Sequence, residues 1–254
     1  MGSLLVEKCV SFFPDAKVIA CDHSLEKLSV LKQSFPNIIL TNDAARAASM
    51  ADCIFLAVKP QSFMDLASAV NGSLAGGKLC VSVMAGVPVN KIMTACGATK
   101  VIRIMPNTPA RIGCGVVGMF ANNTVPPNEQ QTIKELFQQL GLTIACATED
   151  EIDKLTAISG SGPAYVFYMM ECLLDSAKEL GFSESQALQI VKATFAGAIK
   201  LAENDDPAIL RTQVTSKGGT TEAAIRVFDD HDTRSIWQSA VQAAYQRAKE
   251  LGGV

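Results

Sequence analysis

Apolar and polar positions follow two different patterns along this chain. Up to about Thr148, short continuous apolar runs recur: KVIAC (17–21), NIIL (37–40), DCIFLAV (52–58), KLCVSVM (78–84) and KVIRIM (100–105). Runs of this length without polar interruption predict strands buried on both faces of a parallel sheet. Amphipathic stretches at 24–34, 61–70 and 88–96 lie between them, and GVVGMFAN and TIACA add two strands around a helical stretch at 127–140. Such alternation predicts a doubly wound α/β domain over residues 1–148. After Thr148 the strands stop. Thr148 and Glu151 have the spacing of a capping box, a long helix is expected from Pro163 to Leu180, and Gly181 ends it. Ser183 and Gln186 are placed to cap a further helix running to about Glu203, and the Ala-rich remainder reads as helical to the end. Small residues on those helices (Ala193, Ala196, Gly197, Ala198) allow close helix packing, and residues 149–254 are expected to dimerise, because helices alone leave apolar faces to cover.

Composition narrows the chemistry. Hydrophobic residues make up 48% of the 254 and charged residues 19%, which is the composition of a globular protein. A net charge of −3 with no basic cluster argues against nucleic acid as a partner. No apolar run approaches the roughly 20 residues of a membrane span, MGSLLVEKCV carries no signal-peptide pattern, and Val6 stands where a myristoylation motif wants Ser or Thr. The eight cysteines are single, without a C-x-x-C pair, which suits reduced thiols in the cytoplasm rather than disulfides or zinc. Two histidines, His23 and His231, leave little room for an imidazole-based triad or metal centre, and no metal is expected.

Several short segments carry candidate chemistry. In VTSKGGTTEAAI (214–225), two glycines and two threonines precede a helix start, so unpaired N–H groups and hydroxyls could receive an anion. A turn plus an N-cap would also explain it. DCIFLAVKPQ ends a buried strand in Lys59-Pro60, where an α/β sheet holds ligands, and Lys59 could touch a cofactor ribose. Ala85-Gly86 in SVMAGVP would let a flat ring come close. The prolines of RIMPNTPA (103–110) stiffen the segment that carries Asn107 and Thr108. GSGPAYVF (160–167) has Pro163 at the first position of a helix.

LAVKPQ, RIMPNTPA, ISGSGPAYVF and VTSKGGTTEAAI, in that order, resemble the pyrroline-5-carboxylate reductases over nearly the whole chain. Lys217 stands where many members have proline. The resemblance implies a Rossmann-type dinucleotide-binding domain followed by an all-α dimerisation domain. It also implies reduction of 1-pyrroline-5-carboxylate to L-proline with NADP as the expected coenzyme (NAD being possible), in a homodimer or larger homo-oligomer. Thr221 then matches the threonine that bonds the ring nitrogen; Val214, Ser216, Gly218, Gly219 and Thr220 line the substrate, whose carboxylate answers the anion question. Gly2, Asn42, Ala57, Val58, Lys59, Pro60, Ala85, Gly86 and Asn107 fall on the coenzyme side.

The start departs from that pattern. Met1-Gly2-Ser3 resembles the tail of a G-x-G-x-x-G turn, with residues 3–13 as the helix behind it, and the first strand and first two glycines are not in the sequence. An incomplete start would leave two apolar strand edges facing a gap; otherwise the neighbouring strands close up. Weaker coenzyme binding than in a relative that has them is expected. KVIAC ends at Asp22, a residue type that favours the NAD ribose, whereas His23 and Ser24 could receive a 2′-phosphate. Rival readings are an oxidoreductase of another imine or of a β-hydroxy acid, for which Lys192 and Lys200 would be candidate lysines, and a catalytically impaired chain that only dimerises.

Overall fold

A computed structural model of the chain describes residues 1–70 and 72–252. They form two compact units, one of residues 1–160 with the chain's end from Ala244 onward, the other of Ser161–Ala243.

The first unit runs α1 (Gly2–Phe12), β1 (Ile19–Cys21), α2 (Leu25–Ser34), β2 (Ile39–Thr41), α3 (Ala44–Met50), β3 (Cys53–Leu56), α4 (Phe63–Val70), β4 (Leu79–Ser82), α5 (Val89–Cys96), β5 (Lys100–Pro106), β6 (Gly115–Ala121), α6 (Pro127–Gln138), β7 (Gly141–Ala145) and α7 (Glu149–Leu155). Every expected strand is present, with one or both ends moved by one or two residues. The short helix α3 escapes the hydrophobic pattern because ASM-type residues carry almost no period; Asp43 starts it, its carboxylate accepting the Arg46 N–H at 2.9 Å.

Strands β3, β4, β5, β6 and β7 form one sheet in sequence order, parallel except for the antiparallel β5–β6 pair, in which Ile102 faces Ala121. β1 and β2 pair in parallel as a separate sheet, with Ile19 opposite Ile39. The neighbours of the expected gap therefore do not close up: β1 and β3 are unpaired on their facing edges. Burial records the consequence. β4 is buried along its whole length, whereas only Leu56 of β3 is. Helix α1 spans the break: Leu5 and Cys9 join the core of Val81, Ile102, Ile104 and Phe137, while Val6 and Val10 pack on Ala20, Leu28 and Ile38. Each large side chain buried in these clusters contributes about 1.5–3 kcal/mol.

The second unit contains α8 (Gly162–Glu179), α9 (Glu184–Leu201), α10 (Pro207–Gln213), α11 (Thr220–Asp230) and most of α12 (Thr233–Gly252), whose end belongs to the first unit. Its caps follow the sequence. Ser183 and Gln186 make a reciprocal capping box, and Asp206 accepts the Ala208 N–H at 2.7 Å. Helix continues to Gly252; Gly253 and Val254 lie outside the described residues. No helix among the described residues is long and apolar enough to cross a membrane, and no group of His, Cys, Asp and Glu among them is clustered to hold a metal.

Candidate functional site

The residues expected on the coenzyme side all fall in the first unit, at the carboxyl ends of its parallel strands or the helix starts beyond them. Gly2 opens α1 and lies against Ala57 at the exit of β3; a Cβ on Gly2 would sit 3.8 Å from the Ala57 methyl. The first helical bond of α1 runs from the Leu5 N–H to the Met1 carbonyl at 3.1 Å, so the N–H groups of Gly2, Ser3 and Leu4 have no partner within the helix. Val58 is half-buried, and the exposed Lys59 and Pro60 start the turn after β3. Unpaired N–H groups at a helix start, with a lysine two residues beyond the touching alanine, form a donor set suited to a pyrophosphate.

At the exit of β1 the structure resolves the competition between Asp22 and its neighbours. The Asp22 carboxylate folds onto the start of α2: Oδ1 accepts the Ser24 N–H at 2.8 Å and lies 3.5 Å from His23 Nδ1, and Oδ2 is 3.8 Å from Lys27 Nζ. Ser24 caps α2, its hydroxyl accepting the Lys27 N–H. The His23 side chain is almost fully exposed. Lys27 is a cation that the sequence reading missed; its position at the third residue of α2, facing back toward Asp22, is the signal that could have found it. Asn42 lies exposed just past β2.

Two of the residues expected on the coenzyme side are engaged by the chain itself. Gly86 has φ +68, and the space a side chain would take is filled by the chain itself: a Cβ would come 2.8 Å from Leu251 Cβ. The glycine is required by the end of α12, which fills its Cβ side, while Gly86 itself is part-exposed and Ala85 beside it exposed. Asn107 is 8% exposed and engaged at both ends of its carboxamide, Oδ1 accepting the Val116 N–H at 2.9 Å and Nδ2 donating to the Ser159 carbonyl at 3.0 Å. Both bonds brace the chain.

The substrate-side residues all fall in the second unit, on the loop between α10 and α11. Gly218 adopts φ +73, which the loop demands of a glycine, and a Cβ on Gly219 would meet the Ser216 hydroxyl and approach its carbonyl to 3.0 Å. Here too the structure revises a detail. The Gly218 N–H donates to Glu222 Oε2 at 2.7 Å, and the Gly219 N–H to the Ser216 carbonyl at 3.0 Å. Neither is free for an anion. The N–H groups of Thr220, Thr221 and Glu222, in the first turn of α11, make no backbone hydrogen bond among the described residues. The unpaired donors are thus the expected Thr220 N–H and the N–H groups of Thr221 and Glu222 beyond it, beside the Thr220 and Thr221 hydroxyls. Glu222, at i+4 from Gly218, is the second residue missed. Val214 is exposed on the same loop.

Charge inside the first unit is structural. Arg103, 3% exposed, reaches Glu149 at 3.2 Å and Asp153 at 2.9 Å. Burial holds the Cys9 thiol near pKa 11 and the Cys53 thiol near 12, and pushes Cys80 higher still, so these groups stay protonated and play no nucleophilic part.

A family model described as pyrroline-5-carboxylate reductase dimerisation matches residues 149–251, and one described as NADP oxidoreductase, coenzyme F420-dependent, matches residues 1–86. A pyrroline-5-carboxylate reductase of Pseudomonas aeruginosa is 35% identical over 241 residues, covering 94% of this chain and 88% of the relative. One of Synechocystis is 34% identical over 257 residues, covering 99% and 93%. Among solved structures, a pyrroline-5-carboxylate reductase of Coxiella burnetii superposes with a TM-score of 0.88 at 33% identity, covering 99% of this chain and 95% of that one. That of Plasmodium falciparum, solved with NADP bound, gives 0.84 at 25% identity, covering 99% and 94%.

Proposed function

The chain belongs to the pyrroline-5-carboxylate reductase family, and on that premise we infer that it is an oxidoreductase reducing 1-pyrroline-5-carboxylate to L-proline with NADPH. The observation that carries this reading is the Ser216–Thr221 loop, where Gly218 is conformationally required, Gly219 lies tight against Ser216, and Thr220, Thr221 and Glu222 offer unpaired N–H groups. The first turn of α11 receives the substrate carboxylate; charge-assisted bonds of this kind contribute roughly 1.5–3 kcal/mol each. The Thr221 hydroxyl holds the ring nitrogen, donating to the amine as it forms or accepting from the protonated imine. Val214 and Ser216 border the ring.

When bound, the reduced nicotinamide supplies the hydride. The chain holds the coenzyme through the start of α1, Ala57, Val58, Lys59 and Pro60 after β3, and Ala85 after β4. Asn42 and the Asp22–His23–Ser24 corner border the adenosine end, where Lys27 offsets the Asp22 charge and favours NADP. A protonated imine is electrophilic already, so holding the ring in line supplies much of the barrier reduction, and no histidine is needed.

We assign residues 1–148 to coenzyme and 149–254 to substrate and dimerisation, with the enzyme a homodimer or larger homo-oligomer working in the cytoplasm. Turnover of 1-pyrroline-5-carboxylate by the purified chain, with NADPH and NADH in parallel, tests the reading. Proline formation lost about a hundredfold in Thr221→Val supports it; no turnover by a folded dimer refutes it. The break between β1 and β3 favours one second reading, a dimer that holds coenzyme weakly. An NADPH titration beside the Pseudomonas aeruginosa relative decides it: equal affinity removes that reading.

A further inference from the structure

Residues 216–219 form a tight turn inside the second unit. The Gly219 N–H donates to the Ser216 carbonyl at 3.0 Å, Gly218 has φ +73, and Lys217 before it has a negative φ. A negative φ followed by a positive one under such a bond is the type II pattern. Its second position favours proline and its third takes glycine. The chain keeps the glycine and departs at the other position, where Lys217 stands in place of a ring that would hold φ fixed.

The fold gives no reason for a lysine there. The Lys217 N–H makes no backbone hydrogen bond among the described residues, so a proline would cost no bond and would restrict the unfolded chain. The side chain is exposed and forms no ion pair among the described residues. Glu222, the acid at the start of α11, does not neutralise it, because its Oε2 accepts the Gly218 N–H at 2.7 Å. A position without packing or pairing duty thus carries a free positive charge. It lies on the loop that leads straight into the unpaired N–H groups of Thr220, Thr221 and Glu222.

We propose that Lys217 is a specificity-determining residue for the reduction, its ammonium drawing substrates that carry a carboxylate to the first turn of α11. The proposal rests on the reductase reading of that turn. The donors and hydroxyls of α11 act at contact distance, whereas an exposed charge acts over about 10 Å at 0.1 M salt and far less in concentrated salt. A charge at the rim of a site therefore shows itself as a salt-dependent affinity, which a purely structural turn residue does not produce.

Lys217→Gln, Lys217→Pro and Lys217→Arg should be compared with the unsubstituted chain in turnover of 1-pyrroline-5-carboxylate, at about 0.02 M and about 0.5 M salt. In dilute salt the Gln and Pro variants should show a KM raised about threefold, with kcat and the Kd for NADPH unchanged, and Arg should keep the original KM. In concentrated salt all four should converge. The bare ring 1-pyrroline, which lacks the carboxylate, should be handled alike by all of them. A KM difference of the same size at both salts, or none at either, overturns the proposal. If the unsubstituted chain shows no turnover, the reductase reading fails by itself. Acetate titrated against the amide signals of residues 218–222 then decides the charge: binding that is weaker in Lys217→Gln only in dilute salt supports it, and identical titrations overturn it.

Discussion

The two compact units of this chain dispose of their apolar residues in opposite ways. In the first, Val81, Ile102, Ile104, Phe63 and Phe137 are almost wholly removed from water, and layers of helix cover both sides of the β3–β7 sheet. In the second, only Ala177, Ala187 and Val191 are buried, while Phe167, Leu188, Ile199, Phe228 and Ile236 stay exposed on long helices. A sheet gives each strand neighbours on two edges and two faces. Helices packed side by side cover one stripe each, and the rest needs a partner. The first unit makes its own core; the second leaves these apolar faces uncovered. That contrast explains why the dimerisation reading falls on the helical half.

Its largest expected consequence concerns assembly. A charge on the exposed side of α8, Phe167→Asp, should convert a dimer to monomer in light scattering and lower kcat/KM by at least about a hundredfold. A dimeric, fully active variant would break the comparison, because the second unit would then stand without that face.

A second test acts on the first unit alone. Arg103→Ala leaves Glu149 and the buried Asp153 without their cation, and such a loss destabilises by about 3–5 kcal/mol. The single tryptophan, Trp237, stacks edge-on against Tyr165 in the second unit. Urea unfolding should therefore shift to lower denaturant by circular dichroism while the tryptophan signal moves less. Coincident shifts would mean that the units unfold together.

A smaller effect is expected at the substrate loop. Gly219→Ala forces the loop away from Ser216, and the KM for substrate should rise about tenfold, or about 1.4 kcal/mol, with melting temperature nearly unchanged. An unchanged KM would remove the loop from the site.

The smallest concerns pH at the end of α12, where the Tyr245 hydroxyl donates to Asp150, which also pairs with Lys154 at 2.6 Å. The Lys154 and Tyr245 bonds lower the Asp150 pKa, and the bond to Asp150 raises that of Tyr245. The aspartate's contribution is present above its unfolded value of about 3.9 and lost as pH falls through the lower folded one. The tyrosine's is present below about 10 and lost as pH rises through its higher folded value. Protection of the amides at 245–252 from exchange, taken relative to an unstructured chain at the same pH, should be greatest at neutral pH and fall at both extremes; Asp150→Asn should flatten the acid side. A profile the same in both proteins would show that the contact adds nothing.

What the sequence determined by itself was local and periodic. Mostly apolar runs marked β1 to β7, although burial on both faces is complete only in β4. Serine, threonine and glutamine at fixed spacings marked helix starts such as Ser183, and four motifs in order marked the family. The glycines and threonines of 218–221 were legible because their geometry is set within a few residues. Tertiary structure decided the rest. Whether β1 joins β3 depends on contacts between segments some thirty residues apart, and they stay unpaired with α1 across them. That Gly86 serves Leu251, that Asn107 braces Ser159, and that Glu222 takes the Gly218 N–H are side-chain choices no periodicity encodes. A polar residue in a motif is equally able to bind a ligand or its own chain, and only the positions of its neighbours decide between them.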